Sequence, residues 1–390
     1  MHQEIKNYKV YRMSLTTLSP IFIGSGEELN KSMYVYNNRE IMIIDERKLI
    51  KELLLRKGLY ESFLNECYSG NLNLTNFLER HLNGYKDMDI YKYKIMSYSD
   101  VKTNSKFNNI NTFIKSSNGK PYIPGSSIKG AIRTAIIYGE IMNNKNKYNN
   151  IFKDIVNYRN KYNEGYIVDN ISNHFNIKNI FKNIAVSDTN DINIENLCIC
   201  KRYDISTHIE VGHELPIYME LLKPCLKFNF LLTLYSSFSI NDLSKYFNNF
   251  YDYNMNDNTL YSNYLSIINV FRDKAVKNPH NLYLNYDNMI PNIFIGGVNG
   301  FLTKSVIYSI RKMKNNNNEI ISKSQIIDYV KKYLDRKFVK IDRESKKRIP
   351  QHNHTKIDEK ISPRTLRLVK YQNSYIALGM CNIKVEEELC

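Results

Sequence analysis

The segment between Tyr122 and Ala135 combines small residues with two cations at the predicted start of a helix. A Pro-Gly turn leads to Ser126, whose hydroxyl is suited to cap the helix by accepting a hydrogen bond from an unpaired amide. Unpaired amides and the positive end of the helix dipole attract phosphate. Lys129 and Arg133 are neighbours four residues apart, and a bound phosphate would offset their mutual repulsion. We therefore interpret this segment as a grip on the backbone of a nucleic acid.

Of two alternative interpretations of this segment, the sequence argues against one and leaves the other open. A nucleotide-binding P-loop has the order G-x-x-x-x-G-K-[ST], whereas here the lysine precedes Gly130 and Ala131 follows it. This order does not place a lysine on a β- or γ-phosphate, so an ATPase loop is not expected. An ordinary amphipathic helix with solvated basic residues stays open, because Ile128, Ile132 and Ala135 recur at helical spacing.

Two further segments are rich in glycine. Because glycine has no side chain, a glycine-rich turn allows backbone amides to approach a phosphate closely. Each segment, taken alone, is also compatible with an ordinary turn between a strand and a helix. The occurrence of three such segments in one chain favours binding of a polyanion. The residues concerned are Gly24 and Gly26 in the first, and Gly296, Gly297 and Gly300 with the following Lys304 in the second.

The cysteine pattern does not indicate a metal site. Cys198 and Cys200 share one face of a predicted strand, ahead of His208 and His213. Structural zinc sites usually space their cysteines by about two to four residues. Two half-buried core cysteines are the simpler interpretation.

Known catalytic motifs are absent from the sequence, including the nucleophile elbow G-x-S-x-G and the zinc motif H-E-x-x-H. His352 and His354 lie in a polar stretch, where we expect solvated side chains or weak RNA contacts rather than metal ligands. Asp188, Glu210 and Glu214 are conceivable acids, but nothing in the sequence fixes their geometry. We therefore assign no catalytic residue, no cofactor and no metal from the sequence.

The composition favours a nucleic-acid partner. The chain has 55 Lys and Arg against 39 Asp and Glu, a net charge of +16, and such an excess favours polyanions. The 31 tyrosines, interleaved with lysines, suit stacking on bases beside phosphate contacts. Asn, Lys, Ile and Tyr are abundant throughout, however, and an AT-rich genome would explain much of the tyrosine count.

The sequence predicts a cytoplasmic protein. No stretch reaches the roughly 18 apolar residues of a membrane span, and the start lacks the apolar segment of a signal peptide. The six cysteines have no framework spacing, which is typical of reduced cytosolic thiols.

The elements that must position these residues indicate an α+β protein with two domains, residues 1–224 and 225–390. Periodicity predicts strands over 10–17 and 226–235, a helix capped by Asp45 and further helices over 74–82 and 241–250. Helical patterns also cover 260–276 and the residues after 305. We expect a loop or irregular hairpin over 91–114, an insertion over 143–166 and an exposed loop over 342–360.

Three motifs resemble the RAMP superfamily of CRISPR proteins. They are the run LSPIFIGSG at 18–26, the core Pro-Gly-Ser-Ser-x-Lys-Gly-x-x-Arg at 124–133, and Gly-Gly-x-x-Gly at 296–300 followed by Lys304. Their order in a chain of this length is similar to that of the family of fifth Csm subunits of the type III-A effector complex.

This resemblance implies two ferredoxin-like (RRM-like) RAMP domains with helical and loop insertions. It also implies a non-catalytic antiviral subunit that binds crRNA near its 3′ end, caps the complex and takes part in maturation of crRNA intermediates. The implied partners are crRNA, other Csm subunits and host nucleases that trim crRNA, with neither a membrane nor direct DNA binding. Carried over by position, the implied RNA-binding residues are Gly24, Gly26, Gly125, Ser126, Ser127, Lys129, Gly130, Arg133, Gly296, Gly297, Gly300 and Lys304.

The chain lacks the aromatic segment with which an ordinary RRM stacks bases on its sheet, so binding through loops and phosphates fits better. Two alternatives remain. One is a RAMP-type endoribonuclease that processes CRISPR repeat RNA, for which the chain offers no early histidine beyond His2. The other is a scaffold that contacts only proteins.

Overall fold

A computed structural model of the chain describes residues 8–70, 72–99, 109–144, 181–206, 213–235, 239–251, 286–301, 303–307, 322–359, 361–372 and 374–389. Strands and helices both contribute to the fold, so the predicted α+β class is confirmed. The strands are β1 (Tyr8–Thr17), β2 (Gly24–Leu29), β3 (Tyr34–Asn37), β4 (Glu40–Ile44), β5 (Tyr91–Ser97), β6 (Ile110–Phe113), β7 (Ile184–Val186), β8 (Leu197–Ser206), β9 (His213–Leu222), β10 (Lys227–Tyr235), β11 (Ile293–Phe294), β12 (Val339–Ile341), β13 (Arg348–Pro350), β14 (Thr365–Tyr371), β15 (Ser374–Ala377) and β16 (Met380–Glu388). The helices are α1 (Glu46–Leu54), α2 (Leu59–Tyr68), α3 (Leu74–His81), α4 (Gly125–Asn143), α5 (Ile240–Tyr251), α6 (Lys323–Lys337) and α7 (His354–Ile357).

The first sheet is built around β1. Its strand order is β11-β16-β1-β10-β7, and all neighbours are antiparallel. β1 pairs along most of its length with β10 on one side and with β16 on the other. Tyr11, Met13 and Leu15 alternate along β1 and are buried in the main core. The period-two pattern predicted for this strand is therefore confirmed.

The second sheet has the order β2-β6-β9-β8-β5-β4-β3, and β14 and β15 join it beside β8. β8 is long enough for two neighbours along one edge. Its first residues pair in parallel with β5, and its last residues pair antiparallel with β14. Alternation along β8 places Leu197 and Ile199 in the main core, whereas Cys198 and Cys200 pack into a smaller cluster on the opposite face.

Both sheets take strands from both sides of residue 224. β1 pairs with β10 and β16, and β8 pairs with β14. Strand pairing therefore does not follow the order of the chain, and the predicted division at residue 224 stays a prediction.

The helix α4 packs with its apolar face against the main core. Ile128, Ile132, Ala135 and Ile136 are fully buried there, as their spacing predicts. The predicted cap of α1 is also confirmed, because the Asp45 carboxylate accepts hydrogen bonds from the first-turn amides of the helix.

Two predictions about loops are wrong. The range 91–114 contains β5 and β6 rather than an irregular loop. β5 lies between β4 and β8 with one face partly exposed, so lysines alternate with buried residues and mask the apolar pattern. The range 342–360 contains β13 and α7. Most of the predicted insertion at 143–166, all of the helix at 260–276 and most of the segment after 305 lie outside the described residues.

No helix within the described ranges combines the length and the apolar character that crossing a membrane would require.

A buried ion pair connects three strands of the second sheet. The Glu220 carboxylate on β9 has no exposed side-chain surface, and the Lys115 ammonium lies 2.5 Å from it. Glu220 also accepts hydrogen bonds from the Tyr93 hydroxyl at 2.7 Å and the Phe113 amide at 2.8 Å. Burial and then the Glu220 charge raise the pKa of the Tyr93 phenol. This network satisfies a charge that would be costly to leave alone.

We predict that Glu220→Gln lowers the free energy of unfolding by about 3–5 kcal/mol, because the Lys115 charge would stay buried without its partner. Urea unfolding of the full chain measures this change. Lys9→Gln is the matched control, since it removes an exposed ion pair with Glu388 and should leave the midpoint unchanged. Equal midpoints for wild type and Glu220→Gln would contradict the role assigned to the network.

Candidate nucleic-acid interface

The three glycine segments predicted from the sequence meet around one cleft of about 380 Å³. The first segment contributes the start of β2, the second contributes the first turns of α4, and the third follows β11. We call this site the glycine cleft. Its lining residues are Ile23, Gly24, Ser126, Ser127, Gly130, Ala131, Thr134, Phe294, Gly296, Gly297, Thr303 and Lys304.

The backbone of Phe22 holds the first and third segments together. The Gly297 amide donates a hydrogen bond of 2.6 Å to the Phe22 carbonyl. Gly296 has a φ of +91°, and a Cβ atom on it would collide with the same carbonyl oxygen. Only glycine accommodates both the left-handed backbone and the close approach.

Gly379 supports this junction from the far end of the chain. Its amide donates to the Pro20 carbonyl at 2.8 Å, and its carbonyl accepts from the Ile295 amide at 2.8 Å. The φ of Gly379 is +82°, and a Cβ there would collide with the Ile295 carbonyl. The segment 294–297 is therefore fixed on both sides by backbone contacts.

The start of α4 differs from the prediction. Pro124, not Ser126, occupies the N-cap position, and the Gly125 amide donates to the Asp188 carboxylate at 2.7 Å. A Cβ on Gly125 would collide with the Val186 carbonyl, so glycine is needed there for packing. The cap comes from a residue 63 positions away in sequence, which local pattern analysis does not detect. Ser126 and Ser127 are left free to line the cleft.

Gly130 has no packing reason to be glycine. It lies within α4, where glycine costs about 1 kcal/mol relative to alanine. A Cβ atom on Gly130 would meet nothing within 4 Å. Because the residue lines the glycine cleft, the missing side chain keeps the space in front of the helix open.

The two cations of α4 do not line the cleft. The Lys129 ammonium donates to the Ile184 carbonyl at 2.5 Å and thereby ties α4 to β7. The Arg133 guanidinium lies over the Phe181 ring, 5.7 Å from its centroid, and the residue is exposed. These contacts do not bring both cations to one phosphate position, and RNA binding by Lys129 and Arg133 stays a prediction. Their spacing made them neighbours, but contacts with the segment 181–184 direct them away from the cleft.

Lys304 is the cation that borders the cleft. The surrounding protein and then the charge of Arg367 lower the pKa of its amine. Asp204, opposite Arg367 in the strand pairing, is bound by Arg202 at 2.9 Å. Within the described part of the chain, no carboxylate forms an ion pair with Lys304. An anion in the cleft would therefore relieve a repulsion between cations.

Some predicted residues lie outside the cleft, and others were missed. Gly26 and Gly300 have left-handed backbones but are not among its lining residues. Thr134, one turn after Gly130, could have been found from helical spacing, and Thr303 from its place beside Lys304. Arg367 comes from β14 and gives no local signal.

No three His, Cys, Asp or Glu side chains within the described ranges converge on a metal position. Cys198 and Cys200 lie in a core cluster, as the simpler interpretation predicted, but they are fully buried rather than half-buried. Burial raises the pKa of the Cys200 thiol. His208 and Glu210 lie outside the described residues, and the side chains of His213 and Glu214 are not described.

The prediction of a solvated His354 is wrong. This side chain is buried, and its Nδ1 lies 2.9 Å from the Asp358 carboxylate. The Arg364 guanidinium donates to the same carboxylate at 2.7 Å. His352 is exposed, as expected.

Comparison with known proteins identifies relatives across most of the chain. A family model described as the RAMP superfamily matches residues 14–389. A CRISPR-system Csm5 protein of Streptococcus thermophilus is 28% identical over 238 residues, which are 58% of this chain and 64% of that protein. A Csm5 protein of Methanocaldococcus jannaschii is 41% identical over 129 residues, 31% of this chain and 29% of that protein. The chain thus aligns with less than two thirds of the length of these relatives.

Two solved structures share the fold. The crystal structure of T. onnurineus Csm5 has a TM-score of 0.54 at 17% identity and covers 79% of this chain and 97% of its own. A chain in a cryo-EM structure of a type III-A Csm–crRNA–target RNA complex has a TM-score of 0.57 at 16% identity and covers 97% of this chain and all of its own. Together with the family model over residues 14–389, the three motifs around the cleft lead to one conclusion: the chain belongs to the RAMP superfamily.

Proposed function

We propose that this chain is the fifth subunit of a type III-A Csm effector complex and holds crRNA by its phosphate backbone in the glycine cleft. The observation that carries the proposal is the convergence of three glycine segments and Lys304 on one cleft. The Ser126 and Ser127 side chains and a cation without an acidic partner suit phosphate rather than a particular base. Such contacts accept any spacer sequence, as a guide-binding subunit requires.

Within this proposal the subunit binds crRNA near its 3′ end, caps the complex and takes part in maturation of crRNA intermediates in antiviral defence. The two large sheets would correspond to the two ferredoxin-like domains that the RAMP resemblance implies. The division at residue 224 would then separate two parts of the sequence but not the two sheets, since β10 lies after residue 224 and pairs with β1. Arg133, exposed on α4, remains a proposed RNA contact outside the cleft.

Copurification tests the assignment to the complex. A tagged full-length chain should copurify with the other Csm subunits and short RNAs, and ultraviolet crosslinks to RNA should map to the glycine cleft. Copurification with proteins but without RNA crosslinks would favour the scaffold alternative and contradict the proposal.

The endoribonuclease alternative has a separate test. No histidine borders the cleft in the described part of the chain, which leaves this alternative without a general base there. Specific cutting of repeat RNA by the purified chain, without added metal, would favour the alternative over the proposed binding subunit.

The glycines of α4 allow binding to be separated from stability. We predict that Gly130→Leu weakens RNA binding by about tenfold or more, equivalent to about 1.4 kcal/mol, because the side chain would fill the cleft. Its stability should be kept or increased, since glycine costs about 1 kcal/mol in a helix interior. Fluorescence anisotropy with labelled RNA and thermal unfolding measure the two effects.

Gly139 on the same helix is the matched control. A Cβ there would collide with the Tyr246 ring, so Gly139→Ala should lower the unfolding temperature and leave RNA affinity of the folded protein unchanged. Normal RNA affinity of Gly130→Leu would contradict the placement of RNA in the cleft.

Lys304 gives the binding reaction a pH dependence. Its pKa is below that of an ordinary lysine, so the amine loses its proton, and with it the attraction for phosphate, as pH rises toward that lowered value. RNA affinity should therefore fall as pH rises, starting at a lower pH than the deprotonation of an ordinary lysine would give. Lys304→Arg should remove this fall, because the guanidinium stays charged.

Salt dependence checks the same contact. Lys304→Gln should reduce the slope of log K against log salt by about 0.7, the value for one phosphate contact to a single strand. Slopes and pH profiles equal to those of the wild type would show that Lys304 does not touch the RNA.

A further inference from the structure

A basic hairpin extends from the end of α6. The strands β12 and β13 form a separate two-stranded sheet, paired from Val339 with Pro350 to Ile341 with Arg348. We call residues 338–351 the basic hairpin. Except for three partly covered positions, its residues are exposed, and neither strand joins one of the two large sheets.

The charges of this hairpin are strongly unbalanced. The hairpin contains five cationic side chains and only two carboxylates, Asp342 and Glu344. Asp342 is used within the turn, where it accepts hydrogen bonds from the Ser345 amide at 2.8 Å and the Ser345 hydroxyl at 2.7 Å. These bonds lower the pKa of Asp342 and fix the tip. Within the described part of the chain, none of the five cations forms an ion pair. These cations are Lys340, Arg343, Lys346, Lys347 and Arg348.

Apolar side chains accompany these cations. Phe338 and Val339 are each 41% exposed, and Ile341 is 68% exposed. Lysines are common on free strand edges, where they prevent edge-to-edge pairing with another sheet, and one or two are enough for this role. Five cations beside an exposed apolar stripe exceed that need, and they match a polyanion with apolar surfaces between its charges, as in a ribose-phosphate strand.

The base of the hairpin is held firmly. Asp335, at the end of α6, accepts from the His354 amide at 2.6 Å and the Thr355 amide at 2.9 Å. His354 in turn is paired with Asp358, which Arg364 also binds. Both ends of the hairpin are therefore fixed to the body of the protein, and binding would not have to order them.

Aromatic contacts connect the hairpin to the glycine cleft. Lys304 donates its amide to the Phe301 carbonyl at 3.3 Å, and the Phe301 ring lies 6.0 Å from the Tyr333 ring on α6. The Lys337 ammonium lies 5.3 Å from the Tyr333 centroid and 5.8 Å from the Phe338 centroid. This row of contacts runs from the edge of the cleft to the base of the hairpin.

We propose that the basic hairpin is a second RNA-binding surface, which holds the phosphates of the strand that leaves the glycine cleft while its apolar stripe packs against the riboses. This inference rests on the proposed function in one respect, namely that the strand in the cleft is RNA. It adds a site outside the three glycine segments, and none of its cations lines the cleft.

The test compares two triple variants of the full chain. Lys340→Gln, Arg343→Gln and Lys347→Gln remove three hairpin cations. Arg47→Gln, Lys51→Gln and Lys57→Gln remove three exposed cations from the region of α1 and are the matched control. Binding of a labelled single-stranded RNA, longer than the cleft can hold, is measured by anisotropy at several salt concentrations. The hairpin variant should reduce the slope of log K against log salt by about 2, and the control should leave it unchanged.

A second measurement locates the RNA. Bound RNA should protect Lys340, Lys346 and Lys347 from an amine-reactive ester, read by mass spectrometry, and should leave Lys51 and Lys57 reactive. Thermal unfolding confirms that the exposed substitutions leave the fold intact.

The outcomes separate the two proposals. A changed slope in the hairpin variant with normal binding by Lys304→Gln would support the hairpin and contradict the cleft. Normal binding by the hairpin variant with reactive hairpin lysines would overturn the hairpin proposal and leave the cleft standing. Protection of these lysines by other Csm subunits, and not by RNA, would assign the hairpin to a protein partner and overturn this inference.

Discussion

The close approach of two backbone segments at Phe22 is the constraint on which the glycine cleft depends. The Phe22 carbonyl accepts the Gly297 amide at 2.6 Å, and a Cβ on Gly296 would collide with it. Without its side chain Gly296 allows the approach, and the Gly297 amide then pairs the Phe22 carbonyl in this half-buried junction, so both features are required together. Phe22 in turn lies beside Ile21, which pairs with Leu222 at the end of β9. One contact thus sets the distance between the first glycine segment, the third and the second sheet.

Electrostatics give the cleft its preference for anions. The start of α4 is partly neutralised, because Asp188 accepts the Gly125 amide. Lys304 borders the opposite wall, where the surrounding protein and then the charge of Arg367 lower the pKa of its amine. The capping carboxylate lies at the start of α4, and within the described part of the chain Lys304 on this wall forms no ion pair. A phosphate that enters the cleft would meet this wall and the small residues of α4 without displacing a side chain.

Local sequence signals identified the site segments more reliably than the roles of single residues. The glycines, the apolar face of α4 and the helix cap at Asp45 depend on neighbours within a few positions, and their patterns were readable for that reason. The N-cap role of Ser126 was wrong, and the contacts of Lys129 and Arg133 were not predicted, because the partners come from the segment 181–188. β5 and β13 were assigned to loops because exposed polar positions interrupt the strand pattern.

The sequence by itself determined the α+β class, the excess of positive charge and the three glycine-rich segments that mark a RAMP protein. It could do so because composition, periodicity and glycine content are properties of adjacent residues. Only the tertiary structure decided that these segments meet, that Lys304 and not the cations of α4 faces the cleft, and that strands from both sides of residue 224 share each sheet. These are contacts between residues far apart in the chain, and they depend on packing and strand pairing that no local pattern encodes.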